Sequence, residues 1–440
     1  MELRINPPYP TRCLPATHGI DSLPEEGGWV RLHGRLIECS DQGGLLGDGR
    51  GQVPCLWDTP AAGLHCGDIA ELEGQIRGGV LRVEKLKVLA PALRPPGEGE
   101  GAHREQKNGE LRSVLALRAR VMRAIRNYFA EEDFLEVETP ILVRAPGQEA
   151  HLLLFETEFR GGTAEACCLV SSPELHMKRL LGTGCGRIFQ LSRAFRNGER
   201  SALHHPEFTM LEWYRAYASY EEIMADVERL VAAVSRAVRG TTQLEYQGRQ
   251  VELAPPWIRL TVQEAFRRFA GLNLDFASSR EVFLRQARGN CPSVDTGDSW
   301  EEIFFKVFLE KVEPALALGK PVLLKDYPAC MAALAKIAAD GQVAERVEAY
   351  VGGLELANGF TELNDPREQR RRFGSERLRR EEQGYPLHPQ DEEFLQMMEQ
   401  GMPPAGGMAL GVDRLVMLMG DAAVIDEVIP FPFDLTEGCR

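Results

Sequence analysis

The 440-residue sequence contains no run of about 18 consecutive apolar residues, so it predicts no membrane-spanning segment. Residues 1–4 do not begin a basic region followed by an apolar core, and a secretory signal peptide is therefore not expected. Both absences favour a protein of the cytoplasm. The length leaves room for two domains, one of them large.

Zinc-binding patterns are missing as well. The ten cysteines include no Cys-x-x-Cys and the nine histidines no His-x-x-x-His, so structural zinc is not expected and reduced thiols are the preferred interpretation. Basic residues are fewer than acidic ones, 51 against 65, which gives a formal net charge of −14. This balance argues against a broad nucleic-acid-binding surface, although a local basic patch would still allow RNA to bind.

Residues 1–95 predict a small domain of β-strands. Alternating segments at 29–37, 52–57, 68–74 and 81–89 are separated by glycine-rich turns, a pattern typical of a small OB-like β-barrel. Trp29 and Trp57 are the chief aromatic side chains that could stack on unpaired bases. The domain could thus bind RNA or protein, or serve as a structural or dimer-facing appendage. Residues 96–110 are polar and glycine-rich and predict a linker, which leaves 111–440 as the larger domain.

A predicted β-hairpin carries the most informative chemistry. One strand ends at Arg196, a polar loop follows at 198–204, and the returning strand places Phe208, Met210 and Glu212 on one face. An arginine beside such a loop suits a polyphosphate, because its guanidinium group offers a planar fork of donors. Phe208 offers a flat face to a base. The alternative is an ordinary hairpin with a surface arginine.

Carboxylates recur at two further positions. Ser172 and Pro173 predict a helix start that places Glu174 where it could meet a ligand ammonium group or only the helix dipole. A two-residue glycine turn at 352–353 predicts a hairpin in which Glu348 and Glu355 share a face. Two adjacent carboxylates repel unless a cation lies between them, and Mg²⁺ with ATP phosphates is a natural candidate. Exposed carboxylates on a surface hairpin are the alternative.

Three segments together resemble a known family. Residues 195–197 with 205–212 resemble motif 2 of class II aminoacyl-tRNA synthetases in the lysyl version, residues 134–140 resemble motif 1, and residues 407–415 resemble motif 3. The resemblance implies an α+β fold in which helices flank the antiparallel sheet of the class II synthetases. It also implies a homodimer with motif 1 at the interface, and the formation of an aminoacyl adenylate from ATP with Mg²⁺.

The resemblance also implies roles for individual residues. Arg196 and Arg414 are the expected catalytic residues. The expected contacts to ATP come from Arg196, Asn197, Gly198, His205, Phe208, Glu355, Leu356, Gly411 and Arg414. The expected amino-acid pocket consists of Ser172, Glu174, Glu212, Tyr214 and Glu362, and the expected metal ligands are Glu348 and Glu355. Gly198 and His205 depart from the lysyl pattern, which has Glu and Asn there.

The resemblance extends to one branch of the family. Residues 172–181, 212–215 and 408–414 are similar to the paralogues that transfer lysine or (R)-β-lysine to a lysine of elongation factor P. Transfer to elongation factor P is the expected function. Those paralogues usually lack an N-terminal barrel, so tRNA stays open as the alternative acceptor. A third interpretation is a non-catalytic regulator that binds nucleotide or tRNA.

Overall fold

The computed structural model describes residues 15–24, 26–58, 63–92 and 108–433, without the side chains of residues 108–111. The chain divides into two compact units, Met1–Ser113 and Val114–Arg440. Most of the predicted linker, residues 96–107, lies outside the described residues, as do several positions of the predicted barrel domain and residues 434–440. Among the described residues, no helix combines the length and apolar character needed to cross a membrane.

The first unit contains a closed five-stranded barrel, as predicted. Its strands are β1 (Trp29–Ser40), β2 (Gly43–Gly47), β3 (Gln52–Leu56), β4 (Ile69–Arg77) and β5 (Val80–Ala90). They are joined in the order β1-β2-β3-β5-β4, and β4 closes the barrel by pairing with β1. Val30, Leu32 and Leu72 alternate into its core. Strand β2 was not predicted, and Trp57 lies in the core at 4% exposure, whereas Trp29 is 44% exposed.

The second unit is built on an eight-stranded sheet. The strands of this unit are β6 (Leu135–Glu136), β7 (Leu142–Val143), β8 (Glu156–Phe159), β9 (Glu165–Leu169), β10 (Arg187–Phe195), β11 (Glu207–Ala216), β12 (Gln243–Tyr246), β13 (Arg249–Glu252), β14 (Ile258–Thr261), β15 (Val322–Pro328), β16 (Val343–Val351), β17 (Leu354–Thr361) and β18 (Ala405–Gly411). The large sheet has the order β14-β15-β16-β17-β18-β11-β10-β6. Its central pairs are antiparallel, as predicted, and the two edge pairs are parallel.

Helices flank this sheet. They are α1 (Asn108–Glu131), α2 (Glu174–Gly182), α3 (Tyr220–Arg239), α4 (Val262–Ala265), α5 (Arg280–Arg288), α6 (Trp300–Val307), α7 (Pro366–Glu382), α8 (Glu392–Gly401) and α9 (Val412–Gly420). Helix α3 is fixed at both ends by its sequence. Ser219 and Glu222 form a capping box at its start, and Gly240 ends it in the left-handed region. The α+β prediction is thus confirmed.

The two faces of β11 serve different purposes. Leu211 and Trp213 point into the main core, where they pack with the stacked rings of Phe129 and Phe189. Because side chains alternate along a strand, the intervening residues lie on the opposite face. On the neighbouring strand β18, glycine and alanine occupy positions 407, 409 and 411, so this face stays open above the sheet. The open face carries the candidate site.

Candidate active site

Arg196 and Arg414 meet at one cavity of about 200 Å³. Arg196 follows β10 and Arg414 lies in the first turn of α9, so residues more than 200 positions apart in the chain converge. The cavity lining also contains Phe208, Met210, His204, His205, Glu199, Leu203, Glu355, Leu356, Ala357, Asn358, Ala409, Leu410, Gly411, Asp413 and Ile425. Positive charge from two sides of a small cavity suits a phosphorylated ligand.

Arg196 has a hydrogen-bond donor that could bind a ligand. Its Nε atom is buried and has no hydrogen-bond partner in the described part of the chain. The guanidinium group lies 5.2 Å from the centre of the Phe208 ring, and its Nη1 atom is 3.8 Å from Glu199 Oε2. A buried donor without a partner is costly, so a phosphate oxygen at this place would lower the free energy of the complex.

Arg414 is held from three directions. Its Nη1 atom donates to the Glu355 carbonyl oxygen at 2.5 Å, Nε donates to Leu203 O at 3.3 Å, and Nη2 donates to His204 Nε2 at 2.9 Å. The side chain is therefore fixed before any ligand arrives, which reduces the entropy lost on binding.

The two adjacent histidines have different environments. His205, which the resemblance assigns to a phosphate, is buried, and its Nδ1 atom contacts Glu207 O at 2.5 Å while Nε2 accepts from the Phe433 N–H at 2.8 Å. Both ring nitrogens of His205 are thus engaged by backbone. His204 faces both arginines, and burial together with Arg414 lowers its pKa. The ring nitrogens of His204 are engaged by side chains instead, Nδ1 by Ser201 Oγ at 2.8 Å and Nε2 by Arg414 Nη2 at 2.9 Å, so His204 acts on the cavity through Arg414.

Carboxylates from three elements form an acid pocket beside this cavity. Glu212 on β11 accepts a hydrogen bond from Tyr214 Oη at 2.9 Å. Glu362 follows β17 and is buried, and its Oε1 atom has no hydrogen-bond partner among the described residues. Glu174 begins α2, one residue later than predicted, and its backbone N–H donates to Ser172 Oγ at 3.2 Å. The structure thus brings all five predicted pocket residues into one region.

Lys178 is the residue of this pocket that the sequence analysis missed. Its Nζ atom lies 2.5 Å from Glu174 Oε1 and 2.5 Å from Glu362 Oε2, and the residue is 1% exposed. The spacing of four residues from Glu174 was a visible signal, because such residues are neighbours on a helix. Burial disfavours its ammonium form, yet the two carboxylates outweigh this effect and raise the pKa of Lys178.

Burial and mutual repulsion perturb the glutamates. Loss of water, reinforced by Glu174, raises the pKa of Glu212 to about 8. Loss of water also raises the pKa of Glu362 to about 8, against the opposing charge of Lys178. Both groups therefore gain protons at neutral pH unless a cation compensates. Such an environment matches a ligand that brings positive charge.

Glu348 and Glu355 were predicted to hold Mg²⁺. The Glu348 carboxylate accepts hydrogen bonds from Tyr327 Oη at 2.5 Å, Tyr350 Oη at 2.7 Å and Arg346 Nη2 at 2.7 Å. Glu355 lines the cavity, and loss of water and the charge of Glu348 raise its pKa. The described residues contain no cluster of three or more groups suited to a metal ion. The pair fits a cation held largely by phosphate oxygens and water, with Glu355 as the available protein ligand.

The remaining predicted ATP contacts differ in whether they line the cavity. Leu356 and Gly411 line the cavity together with Phe208. Asn197 and Gly198, both in the described part of the chain, are not among the lining residues. Asn197 instead pairs with the chain at Leu153, its N–H donating to Leu153 O at 2.9 Å. Gly198 has a φ of +81°, a left-handed conformation in which the glutamate of the lysyl pattern would be strained.

A buried brace connects the hairpin to α9. Asp413 accepts the Thr209 N–H at 2.7 Å, and Arg118 of α1 donates to the Asp413 carboxylate and to Thr209 Oγ1, at 2.5 and 2.6 Å. This charge-assisted network fixes the strand of Phe208 relative to the helix of Arg414. Sequence reasoning missed Arg118, because 295 positions separate it from Asp413.

An antiparallel sheet that carries an arginine-lined cavity beside an acid pocket defines a class of enzymes that activate amino acids. The chain belongs to the class II aminoacyl-tRNA synthetases: residues 101–435 match the family of tRNA synthetases class II (D, K and N). It is accordingly a ligase of the kind that uses ATP.

Relatives within this family match along most of the chain. It is 37% identical to a lysine–tRNA ligase of Moorella thermoacetica over 94% of this chain and 92% of the relative. It is 38% identical to a lysine–tRNA ligase of Pelotomaculum thermopropionicum over 84% and 76%, respectively. A lysine–tRNA ligase of Chloroflexus aurantiacus is 33% identical over 97% of this chain and 94% of its own length.

Proposed function

We propose that the protein activates lysine with ATP as lysyl adenylate and transfers the lysyl group to tRNA. The observation that carries this proposal is the acid pocket of Glu174, Glu212 and Glu362 next to a cavity with two arginines. The alignment of named lysine–tRNA ligases along more than 90% of the chain supports tRNA as the acceptor. From the sequence, elongation factor P was the expected acceptor and tRNA the alternative. The relatives favour tRNA over elongation factor P.

Activation requires positioning rather than a proton acceptor. The lysine carboxylate, already ionised at neutral pH, attacks the α-phosphorus of ATP, a C–O–P bond forms, and pyrophosphate leaves. Arg196 would hold the α-phosphate and the attacking carboxylate, and Arg414 would hold the γ-phosphate. Phe208 would stack on adenine. Mg²⁺ bound near Glu355 would supply charge neutralisation at the phosphates.

The acid pocket would select the amino acid. Glu174 would accept the α-ammonium group, while Tyr214 and Glu362 would meet the side-chain ammonium group with Glu212 beneath them. A buried cation without a counter-charge is strongly disfavoured, so neutral side chains of equal length would bind a charged pocket poorly. Whether lysine or (R)-β-lysine fits better depends on how far apart these carboxylates hold the two ammonium groups.

Transfer completes the reaction. A ribose hydroxyl of tRNA would attack the carbonyl carbon of the adenylate, an ester bond would form, and AMP would leave. Elongation factor P, the acceptor first expected, would receive the lysyl group on a lysine amine as an amide. The similarity of residues 172–181 and 212–215 to the elongation factor P branch favours this second candidate.

One experiment separates the candidates. The protein would be incubated with ATP and labelled lysine or β-lysine, together with either total tRNA or elongation factor P. The proposal expects label on tRNA. Label on elongation factor P alone would replace it with the second candidate. Absence of ATP–pyrophosphate exchange with both amino acids would leave only a non-catalytic regulator that binds nucleotide or tRNA.

We also propose a homodimer formed through the motif 1 segment. Strand β6 is an edge of the large sheet, and Leu135 within it is 57% exposed. An exposed apolar residue on an unpaired edge is a feature that association would cover. Light scattering would show a mass near twice 49.0 kDa, and a monomer at micromolar concentration would contradict the proposal.

A further inference from the structure

The acid pocket already contains an ammonium group, that of Lys178. It bridges Glu174 on its own helix and Glu362 after β17, two carboxylates that come from different elements. The Phe360 ring lies 5.1 Å from Nζ and adds a further favourable contact to the cation. The side chain is almost completely buried, so its charge interacts with the pocket rather than with water.

A lysine inside an acid pocket requires a physical explanation, because its positive charge reduces the negative charge that attracts a cationic substrate. Three carboxylates without compensation would repel each other and take up protons, which would abolish the charge that a cationic substrate needs. When all three carboxyl groups are ionised, as a bound cation favours, one ammonium group offsets one carboxylate and leaves two. A substrate with two ammonium groups then completes the balance of charge.

We propose that Lys178 is a positioning residue of the amino-acid pocket, which holds Glu174 and Glu362 together and sets the pocket charge to match two ammonium groups. The inference rests on the proposed function, since it needs lysine or β-lysine as the substrate. It adds a determinant of specificity that acts through the carboxylates rather than by contact with the reacting atoms.

The other charged groups around Lys178 fit this assignment. Glu212 and Tyr214 face it from β11, and the charge of Lys178 opposes the upward shift of the Glu212 pKa. Glu149 lies before β8 and faces Glu174. Burial and the charge of Glu174 raise the pKa of Glu149, and the charge of Arg196 opposes this rise. Arg196 thus serves as the neighbouring counter-charge for Glu149.

The test compares the wild-type protein with Lys178→Met, which removes the charge and keeps the length. ATP–pyrophosphate exchange is measured with varied lysine. We expect KM for lysine to rise at least about tenfold at pH 7, while kcat stays within about threefold and KM for ATP within about twofold. Lys306→Met is the matched control, because Lys306 also contacts two carboxylates, Asp298 and Asp295, outside the pocket.

The pH profile separates an electrostatic role from a merely structural one. Without Lys178 the carboxyls of Glu212 and Glu362 lose an opposing charge, so their pKa values of about 8 rise further. More of them are then protonated at pH 7 than at pH 8.5. The ratio of variant to wild-type KM should therefore fall at least about threefold between these pH values. A ratio that does not depend on pH, or an unchanged KM, would overturn the inference.

A second variant keeps the inference testable if Lys178→Met does not fold. The double variant Lys178→Met/Glu362→Gln retains two carboxyl groups in the pocket and no lysine. When these groups are ionised, the net charge of the pocket equals that of the wild type, in which one ammonium group offsets one of three carboxylates. The double variant should bind lysine at least as well as Glu362→Gln alone, and a KM tenfold above that of Glu362→Gln would refute the role. Wild-type protein that exchanges neither amino acid would refute the proposed function itself, which is a distinct result.

Discussion

At the scale of single residues, Gly407 makes the acid pocket possible. It lies on β18 opposite Tyr214 on one side and Phe360 on the other. A Cβ atom added there would overlap Glu362 Oε1 and the Tyr214 ring. The two side chains that are proposed to meet the substrate ammonium group therefore occupy the space that a larger residue would fill.

Gly407→Ala should displace Glu362 and Tyr214 and raise KM for lysine about tenfold or more, which corresponds to about 1.4 kcal/mol of binding free energy. KM for ATP should stay within about twofold, since the arginine cavity lies further along the sheet. Pyrophosphate exchange with each substrate varied would measure both constants. Gly374→Ala is the control, because a Cβ atom at Gly374 would meet no described atom within 4 Å apart from the backbone of its own helix. Equal effects of both substitutions would contradict the assignment.

Single residues also show how far the sequence alone can lead. Arg196, Glu212 and Arg414 were predicted because the motifs of the resembled family contain them, and the structure places the two arginines at one cavity and Glu212 beside Tyr214. Lys178 was missed because an i, i+4 pair with Glu174 is normally a surface ion pair, and nothing local indicates that Glu362 closes over it. Burial of a charge depends on residues distant in the chain.

At the scale of elements, residues 425–433 after α9 hold the hairpin loop that precedes β11. Ile425 N–H donates to Ala202 O at 2.8 Å, and Arg200 is 2.5 Å from Asp426. His205 accepts the Phe433 N–H at 2.8 Å. Three contacts spread over the loop restrict a segment that carries cavity residues at both ends, so the loop is fixed before ATP binds.

His205→Ala should therefore lower the free energy of unfolding by about 1–3 kcal/mol, the typical cost of leaving a buried hydrogen-bond partner unpaired. KM for ATP should rise less than about threefold, because the ring nitrogens of His205 are engaged by the backbone of Glu207 and Phe433. Chemical denaturation and pyrophosphate exchange would measure the two effects.

The neighbouring histidine supplies the comparison. His204→Ala removes the acceptor of an Arg414 hydrogen bond and should raise KM for ATP about fivefold with little change in stability. If instead His205→Ala lost ATP affinity tenfold at unchanged stability, the direct phosphate contact expected from the resemblance would be correct.

At the scale of the whole molecule, strand pattern and turn residues were sufficient to predict the barrel. They failed at β2 (Gly43–Gly47), since a glycine-rich segment gives no alternation of apolar residues, and its pairing with β1 and β3 decides its conformation. They also gave Trp57 a possible role on the surface. Closure of the barrel places that indole in the core, which no local pattern indicates.

Trp57 of the barrel is buried and Trp29 is exposed, so a substitution of Trp29 tests whether the first unit binds RNA. If the barrel binds unpaired bases of tRNA, Trp29→Ala should lower kcat/KM for tRNA charging about 5- to 150-fold, since a base stacked on an aromatic ring contributes about 1–3 kcal/mol. Pyrophosphate exchange should be unchanged, because activation depends on residues of the second unit. Ile37→Ala, which removes an exposed side chain without a π face, should leave both activities intact. Unchanged charging by Trp29→Ala would mean that the barrel does not use this ring to bind RNA.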